Sequence, residues 1–447
     1  MFEEPNLMFS IASGVSKGIY GLDVIYCLHD GLFYIYEDGY WKDVFDIELL
    51  SKIVLHPDAI HVTQKASSTR NQILDNLKLL VHKPMSDFNA NGWLNFPSGM
   101  FDVTGNNFFA HDKNIITTIR LPYEYELLAE CPLWEKTLLE IFEGNQSKID
   151  SLQEYFGYCL TRDTSQIKAL LLIGDSKSGK STILHVLRHV IGIKNCSSVP
   201  MKFISNPQYT PMLINKLVNI DADVSEKSQD FEFEFKIITS GEPVNCNQKF
   251  VPTFEFVPYC KIVMAANRFP RITDHSSAFY NRLVVIPCNR IFLPHEQDRN
   301  LKTKLLDECP GIFQWALRGW YRLNKRGMFE EKDFILEALE ELRDESNPVD
   351  VFFKECIEVD VSGKEEITKQ DLYILYRKWC YVNGNAKMAN NKFGTAVYQK
   401  YSKYTPKNTM SHILMKRVWK NLKYTANVAQ YQKVNEYAKG EEISWQE

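Results

Sequence analysis

The chain has 447 residues, of which 45% are hydrophobic and 24% are charged, so it can bury a sizeable core and is not dominated by disordered sequence. Its 52 Lys and Arg against 56 Asp and Glu give a formal charge of −4, which excludes a uniformly basic nucleic-acid coat and means that any DNA site must be concentrated. None of the 10 cysteines has a C-x-x-C spacing, which argues against a zinc site or a disulfide framework and favours reduced thiols in a cytoplasm. The chain lacks an apolar stretch of 18 residues and a signal-like start, so we expect neither a membrane span nor secretion.

Two regions precede the first motif. Residues 1–115 alternate short β-type runs, such as 31–44, with helical stretches, such as 71–81, which predicts a mixed α+β region. Residues 116–165 then show apolar positions at helical spacing on both sides of Gly144-Asn145, which predicts two helices packed as a hairpin.

An α/β core is predicted over residues 166–330. Four nearly continuous apolar runs suit strands that are buried on both faces of a parallel sheet; they lie at 167–174, 216–221, 261–267 and 282–287. A Trp-bearing helix is predicted around 311–323, and an acidic linker helix over 331–347 ends before Pro348.

The C-terminal part of the chain is basic. Residues 348–427 are predicted to form a small separate domain, and 428–447 a polar, frayed tail. Between residues 371 and 425, eleven Lys or Arg stand against one acid, Asp371, a net of +10 in a chain whose total is −4. This charge favours sequence-independent contact with DNA phosphates, and the alternative is a solvated face or a partner dock.

A phosphate-binding loop follows the first apolar run, in the pattern G-x-x-x-x-G-K-[ST] between a predicted strand and a predicted helix. Its residues are Gly174, Asp175, Ser176, Lys177, Ser178, Gly179, Lys180 and Ser181, with Thr182 next in the helix. Backbone N–H groups of such a loop bind phosphate, Lys180 is expected to reach the β- and γ-phosphates, and Ser181 to ligate Mg²⁺. We therefore expect this chain to bind ATP or GTP.

Carboxylates follow the second apolar run at Asp221-Ala222-Asp223. At the carboxyl end of a strand beside a phosphate-binding loop, such groups hold Mg²⁺ and polarise the attacking water. The pattern leaves open which of Asp221 and Asp223 takes the metal and which the base role, and Glu226 is a third candidate. The alternative is a solvated turn.

Two further polar residues border the later runs. Asn267 ends the third run, where a neutral amide could orient the attacking water or sense the γ-phosphate; the alternative is an Asn that caps a turn. Arg282 opens the fourth run and could reach a neighbouring subunit's nucleotide as an arginine finger, or it could be an ordinary surface Arg.

The order of these motifs between Gly174 and Arg282 resembles superfamily 3 helicases. More closely, the chain resembles the phage and plasmid primase-helicase family that includes the poxvirus primase-helicase. The resemblance extends to WLNFPSGMFDV upstream, to KIITSGEPVNCNQKF in the core, and to NPVDVFFKECIEV with DLYILYRKWCYVNG near the C-terminus. Two departures are the single Arg282 where the family often has paired Arg, and an acidic strand end that is split by Ala222.

The resemblance implies an AAA+-like P-loop helicase core, a helical collar for oligomerisation over 116–165, and a winged helix over 348–427. It implies a hexameric ring that hydrolyses ATP with Mg²⁺ and moves along single-stranded or forked DNA in the replication of a mobile element. Lys180, Ser181, Asp221 and Asp223 would come from one subunit and Arg282 from the next. A separate primase or polymerase would be a partner.

The resemblance also implies a DNA-binding β-hairpin in each subunit. β-formers around Gly241-Glu242-Pro243 place Lys249 and Phe250 where a cation meets phosphate and a ring meets a base or sugar. The alternative is a basic turn with Phe250 in the core. Lys236 is a further candidate sensor of nucleotide in trans, or a helix-surface lysine.

Other readings of the sequence remain. His185 and His189 have a spacing that could bind metal, but they have no third ligand nearby, which favours a structural role. Asp46-Ile47-Glu48 is the one carboxylate pair at primase spacing, without a His signature, so we expect no primer synthesis. Rival functions are an origin-binding initiator that uses ATP for assembly, and a packaging or defence motor that acts on proteins.

Overall fold

The computed structural model describes residues 4–57, 59–60, 62, 67–224, 231–247, 253–268, 277–346, 348–384, 387–405, 409–411, 416–432, 434–436 and 443–445. The chain divides into two compact units, Met1–Leu339 and Glu340–Glu447. Among the described residues, no helix has both the length and the apolar character needed to cross a membrane.

The first unit begins with a mixed region, as the sequence predicts. Its elements are α1 (Glu4–Ser16), β1 (Val24–Cys27), β2 (Phe33–Glu37), β3 (Tyr40–Val44), α2 (Asp46–Ile53), α3 (Ser67–Val81) and β4 (His82–Lys83). The sheet order is β3-β2-β1-β4, antiparallel except for the parallel pair β1 and β4. A meander of β5 (Leu94–Phe96), β6 (Gly99–Asp102) and β7 (Asn107–Phe109) follows.

Two helices come next, α4 (Pro132–Ile141) and α5 (Gln146–Cys159), and the side chain of Asn145 caps the second by accepting from the Lys148 N–H. The two predicted helices are in contact, with the Trp134 and Phe156 ring centroids 5.7 Å apart, but α5 packs chiefly against α10 (Cys309–Arg326), a contact that the sequence did not predict. Glycines allow this approach: a Cβ on Gly157 would lie 2.3 Å from the Ala316 carbonyl oxygen. Helix α5 is buried from Ser151 to its end, so a collar that joins subunits has to use other surfaces of this region.

The core of the first unit is a five-stranded, all-parallel sheet in the order β14-β8-β13-β10-β9. Its elements are β8 (Ala169–Ile173), α6 (Lys180–Ile191), β9 (Cys196–Ser197), β10 (Val218–Asp221), α7 (Glu232–Ser240), β11 (Val244–Cys246), β12 (Phe254–Phe256), β13 (Lys261–Ala266), α8 (Ser277–Tyr280), β14 (Leu283–Pro287) and α9 (Leu301–Leu306), before α10. The four predicted strands are confirmed, and β8 and β13 are buried along their whole length.

Helix α11 (Asp333–Ser346) crosses the boundary between the units and ends before Pro348, as predicted. The second unit continues with α12 (Pro348–Cys356), β15 (Ile357–Val359), β16 (Glu366–Thr368), α13 (Lys369–Val382), α14 (Asn390–Tyr401), β17 (Thr409–Met410), β18 (Arg417–Lys420), β19 (Leu422–Tyr424), α15 (Ala429–Gln432), β20 (Val434–Glu436) and β21 (Ile443–Trp445). Its sheets are antiparallel, with β18 between β16 and β17, and β15 paired with β19.

The second unit has its own aromatic core, in which Phe352 contacts Tyr376, Trp379 and Phe393. The frayed tail predicted from residue 428 is wrong at its start. Val428 is buried, and Tyr431 packs into the same core while its hydroxyl donates to Glu355 at 3.1 Å. Burial of a ring with a satisfied hydroxyl holds this segment in place.

A candidate nucleotide site at one edge of the parallel sheet

The phosphate-binding loop lies between β8 and α6, as predicted, and close packing requires both of its glycines. Gly174 has a φ of +152°, and a Cβ there would lie 2.1 Å from the carbonyl oxygen of Cys288. Gly179 has a φ of +94°, and its Cβ would lie 2.7 Å from Ile141 Cδ1. A side chain at either position would therefore displace the loop from the sheet or from α4.

Lys180 is the first residue of α6, and its side chain folds back into the loop. Its ammonium donates to the carbonyl oxygens of Gly174 and Asp175, the latter at 2.8 Å, and to Ser178 Oγ at 3.2 Å. Burial lowers the pKa of Lys180, and the carboxylate of Asp223 is among the groups that oppose this shift. The ammonium is thus held inside the loop, while Ser181 in the next position is exposed.

The polar ends of neighbouring strands meet at the edge that carries this loop. Ile173 pairs with Ala266, so Asn267 follows β13 beside the start of the loop. One strand further, Asp221 pairs with Met264, which brings the Asp221-Ala222-Asp223 segment to the same edge. The structure therefore gathers the loop, the amide and the acidic segment along the carboxyl ends of three adjacent strands, where ligands bind in open α/β sheets.

Asp221 and Asp223 differ in their surroundings, which the sequence did not resolve. Asp221 Oδ2 accepts a hydrogen bond from the Met201 backbone N–H at 2.7 Å, and Oδ1 accepts one from the Asp223 N–H at 3.3 Å. The side chain of Asp223 is exposed and interacts electrostatically with Lys180. The carboxylate of Asp221 therefore binds two backbone N–H groups, whereas the carboxylate of Asp223 is accessible to solvent.

Arg282 lies at the opposite edge of the sheet. Its carbonyl oxygen accepts from the N–H of Ala169, the first residue of β8, whereas the loop begins after the last residue of that strand. The guanidinium donates to Ser240 Oγ at 3.0 Å and to the Ala278 carbonyl oxygen at 2.6 Å. A five-residue strand spans about 17 Å, so the structure does not bring Arg282 to the loop of its own chain.

The structure describes only some of the remaining predicted residues. Lys249, Phe250 and Glu226 lie outside the described residues, and the flanking strands β11 and β12 pair antiparallel. Lys236 is half-buried on α7.

The two histidines that follow the loop pack against each other on α6. Their ring centroids lie 4.2 Å apart, and His189 Nδ1 lies 2.8 Å from the His185 carbonyl oxygen. Burial lowers the pKa of His185, and the charges of its neighbours add to this shift. Within the described part of the chain, no group of three His, Cys, Asp or Glu residues is arranged to hold a metal ion.

A buried lysine at the amino end of β13 was missed by the sequence analysis. The Lys261 ammonium donates to the carbonyl oxygens of Thr161 at 2.7 Å and Tyr259 at 3.0 Å, and lies 4.6 Å from the centroid of the Tyr158 ring. Burial lowers the pKa of Lys261 to about 8. The only signal in the sequence was a cation at the start of an apolar run, and the role of this residue is to join α5 to the sheet.

Three family models match successive parts of the chain. The model described as D5 N terminal like matches residues 16–143, and Poxvirus D5 protein-like matches residues 344–443. A family of unknown function, DUF5906, matches residues 172–282, which run from β8 through the phosphate-binding loop to Arg282.

Individual proteins are similar over longer stretches. A Sputnik virophage protein named "Putative helicase V13" is 22% identical over 240 residues, which are 48% of this chain and only 29% of the virophage protein. An A-form apo structure of the NrS-1 C-terminal region has a TM-score of 0.53 at 14% identity and covers 90% of this chain and 96% of that one. Another apo structure of that region has a TM-score of 0.51 at 12% identity, with 94% and 99% covered. At these identities the structural likeness establishes the fold.

Proposed function

We propose that this chain, a member of the phage and poxvirus D5-like primase-helicase family, is an ATP- and Mg²⁺-dependent DNA helicase that moves along single-stranded DNA in the replication of a phage, plasmid or other mobile element. The observation that carries the proposal is the meeting of the phosphate-binding loop, Asn267 and Asp223 along one edge of the parallel sheet. Motors that couple nucleotide hydrolysis to movement need a phosphate cradle, a metal ligand and a group that orients water, and this edge supplies candidates for all three.

The loop residues fit a nucleoside triphosphate. The two glycines are required where the loop approaches Cys288 and Ile141, which leaves its backbone free of side chains at those points. The N-terminus of α6 opens directly from the loop, and a helix N-terminus favours an anion. The Lys180 ammonium donates to loop oxygens, and we propose that it exchanges these bonds for the β- and γ-phosphates.

The metal ligands in this proposal are Ser181 and Asp223. Both side chains are exposed beside the loop, and oxygen ligands of this kind suit Mg²⁺, which, when bound, neutralises charge on the phosphates. Asp221 is a positioning residue, because its carboxylate holds the Met201 N–H and the Asp223 N–H. Asn267 orients the attacking water from the end of the neighbouring strand.

Arg282 acts on the nucleotide of a neighbouring subunit. Its position at the edge of the sheet opposite to its own loop supports a role at a site on another copy of the chain. In that role, its guanidinium would exchange the bonds to Ser240 and Ala278 for phosphate oxygens. A closed ring, which we propose to be a hexamer, gives every subunit such a neighbour.

DNA contact is proposed for two parts of the chain. Lys249 and Phe250, between β11 and β12, would follow the strand in the channel of the ring. The second unit, with its net charge of +10 over residues 371–425, would bind the duplex of a fork. Primer synthesis would come from a separate enzyme.

Displacement of a labelled strand from a forked duplex tests the proposal, with ATP and Mg²⁺ present. The wild type should unwind the fork, and Lys180→Ala should abolish both unwinding and DNA-stimulated ATP hydrolysis. Lys325→Ala is the matched control, because this exposed lysine lies on α10 outside the site. ATP hydrolysis that neither responds to single-stranded DNA nor accompanies unwinding would overturn the proposal and favour a motor that acts on proteins.

A further inference from the structure

Helix α14 in the second unit has one face fixed in the core. Phe393, Val397 and Tyr401 are buried, the Phe393 ring stacks on Tyr376 with centroids 4.4 Å apart, and the Tyr401 ring meets Phe353 at 5.4 Å. At 100° per residue these three side chains share one side of the helix. Their packing therefore determines which residues point away from the unit.

The opposite face is polar and has no acid. It holds Asn391, Lys392, Thr395 and Gln399, all exposed, and the helix from Asn390 to Tyr401 contains no Asp or Glu. An ordinary solvated helix mixes charges of both signs, and α11 shows the contrast, with six acids in its 14 residues. Within the described residues, neither Lys392 nor Gln399 makes a side-chain hydrogen bond or ion pair, so both side chains are available to a ligand.

We propose that this face of α14 reads base pairs in the major groove of duplex DNA and prefers sites that contain adenine. Asn and Gln amides carry a donor and an acceptor that match adenine N7 and N6, and the Thr methyl group suits the thymine methyl group. Asn391 and Gln399 lie two turns apart, about 12 Å along the axis, which corresponds to three or four base-pair steps. The face is thus expected to read a core of about four base pairs.

The charge and shape of this face favour DNA over other occupants. The net charge of +10 over residues 371–425 attracts a polyanion, and Lys392 adds a cation at the border of the reading face, where it would meet a phosphate. The face has no exposed aromatic anchor of the kind that dominates protein interfaces. The major groove of A-form RNA is too narrow for side chains to read, which leaves B-form DNA.

The inference rests on the proposed action on DNA but not on ATP hydrolysis, so it can be tested without nucleotide. The full chain would select from random 20-base-pair duplexes at about 0.15 M salt, and the enriched site would be compared with a scrambled duplex by fluorescence anisotropy. Enrichment of a short motif with adenine at two positions is expected. Asn391→Ala and Gln399→Ala should each lower the ratio of specific to scrambled affinity by between about 5-fold and 150-fold, the range for loss of one bidentate base contact.

Two control variants distinguish the reading of bases from non-specific attraction by charge and from the general effect of removing an amide from this unit. Lys392→Ala should weaken binding to the selected and scrambled duplexes equally, because a phosphate contact carries no sequence information. Gln430→Ala removes an exposed amide from α15 in the same unit and should leave the ratio unchanged. Failure to enrich any motif, or discrimination that survives both α14 substitutions, would overturn the inference. If the chain unwinds forks but selects no motif, only this inference is refuted. If it selects a motif but does not unwind forks, only the proposed helicase function is refuted.

Discussion

The different surroundings of Asp221 and Asp223 predict opposite consequences for the same substitution. Asp223→Asn removes the charge of an exposed carboxylate that accepts no hydrogen bond from a backbone N–H of the described residues, so the free energy of unfolding should change by less than about 0.5 kcal/mol. Asp221→Asn keeps an oxygen for the Met201 N–H but replaces a charged acceptor at 2.7 Å by a neutral one, which should cost about 1 kcal/mol. We expect a fall of about 1–3 °C in Tm for this variant alone.

Catalysis should show the reverse order. Asp223→Asn should lower ATP turnover about 100-fold or more and raise the Mg²⁺ concentration for half-maximal activity, because a metal ligand stabilises charge in the transition state. Asp221→Asn should cost less than about 10-fold and leave the Mg²⁺ dependence nearly unchanged. Each variant is the control of the other, in paired measurements of thermal melting and Mg²⁺-titrated turnover. A larger loss of turnover and a shifted Mg²⁺ dependence in Asp221→Asn, at normal Tm, would refute the assignment.

Three further predictions concern the contacts that hold the first unit together. Burial lowers the pKa of Lys261 in the folded chain to about 8, below the ordinary value of 10.5, so between these pH values only the unfolded chain holds the proton. The free energy of unfolding of the wild type, measured with a chemical denaturant and compared with that of Lys261→Met, should therefore rise as the pH goes from 8 to 10. Gly157→Ala should lower the free energy of unfolding by about 3 kcal/mol, and with it Tm, because its Cβ would lie 2.3 Å from the Ala316 carbonyl oxygen. Glu154→Gln should cost about 2 kcal/mol in chemical unfolding, because its carboxylate, only 2% exposed, binds Arg322 at 2.7 Å.

Each of these outcomes can fail separately. An equal pH slope in wild type and Lys261→Met would mean that this ammonium is not desolvated. A Gly157→Ala variant with wild-type stability would mean that α5 and α10 are not in close contact. Full stability of Glu154→Gln would leave its ion pairs without a structural role.

The strands were the most predictable part of the fold. β8, β10, β13 and β14 are buried on both faces, and this burial leaves continuous apolar runs in the sequence. The fifth strand, β9, has two residues and no such pattern. The order of the sheet and the packing of α5 on α10 depend on contacts far apart in the sequence, which a single sequence does not record.

The candidate site also has a part that could be predicted from the sequence and a part that could not. The loop from Gly174 to Ser181 was predictable because its backbone geometry requires glycines at fixed spacing. The difference between Asp221 and Asp223 was not, because it depends on a hydrogen bond to Met201, 20 residues away. The burial of Lys261 was hidden for the same reason, since its ammonium donates to the carbonyl oxygen of Thr161, 100 residues away in the sequence.

The most direct test of the central claim is steady-state ATP hydrolysis with and without single-stranded DNA. It compares the wild type, Lys180→Ala, Arg282→Ala and an equimolar mixture of the two variants, after thermal melting has shown that each variant is folded. We predict DNA-stimulated turnover that is lost in each variant and partly regained in the mixture, where an intact loop meets an intact Arg282 from a neighbouring subunit. Turnover that is indifferent to DNA and to Arg282 would contradict a ring motor on DNA, even with the nucleotide site intact.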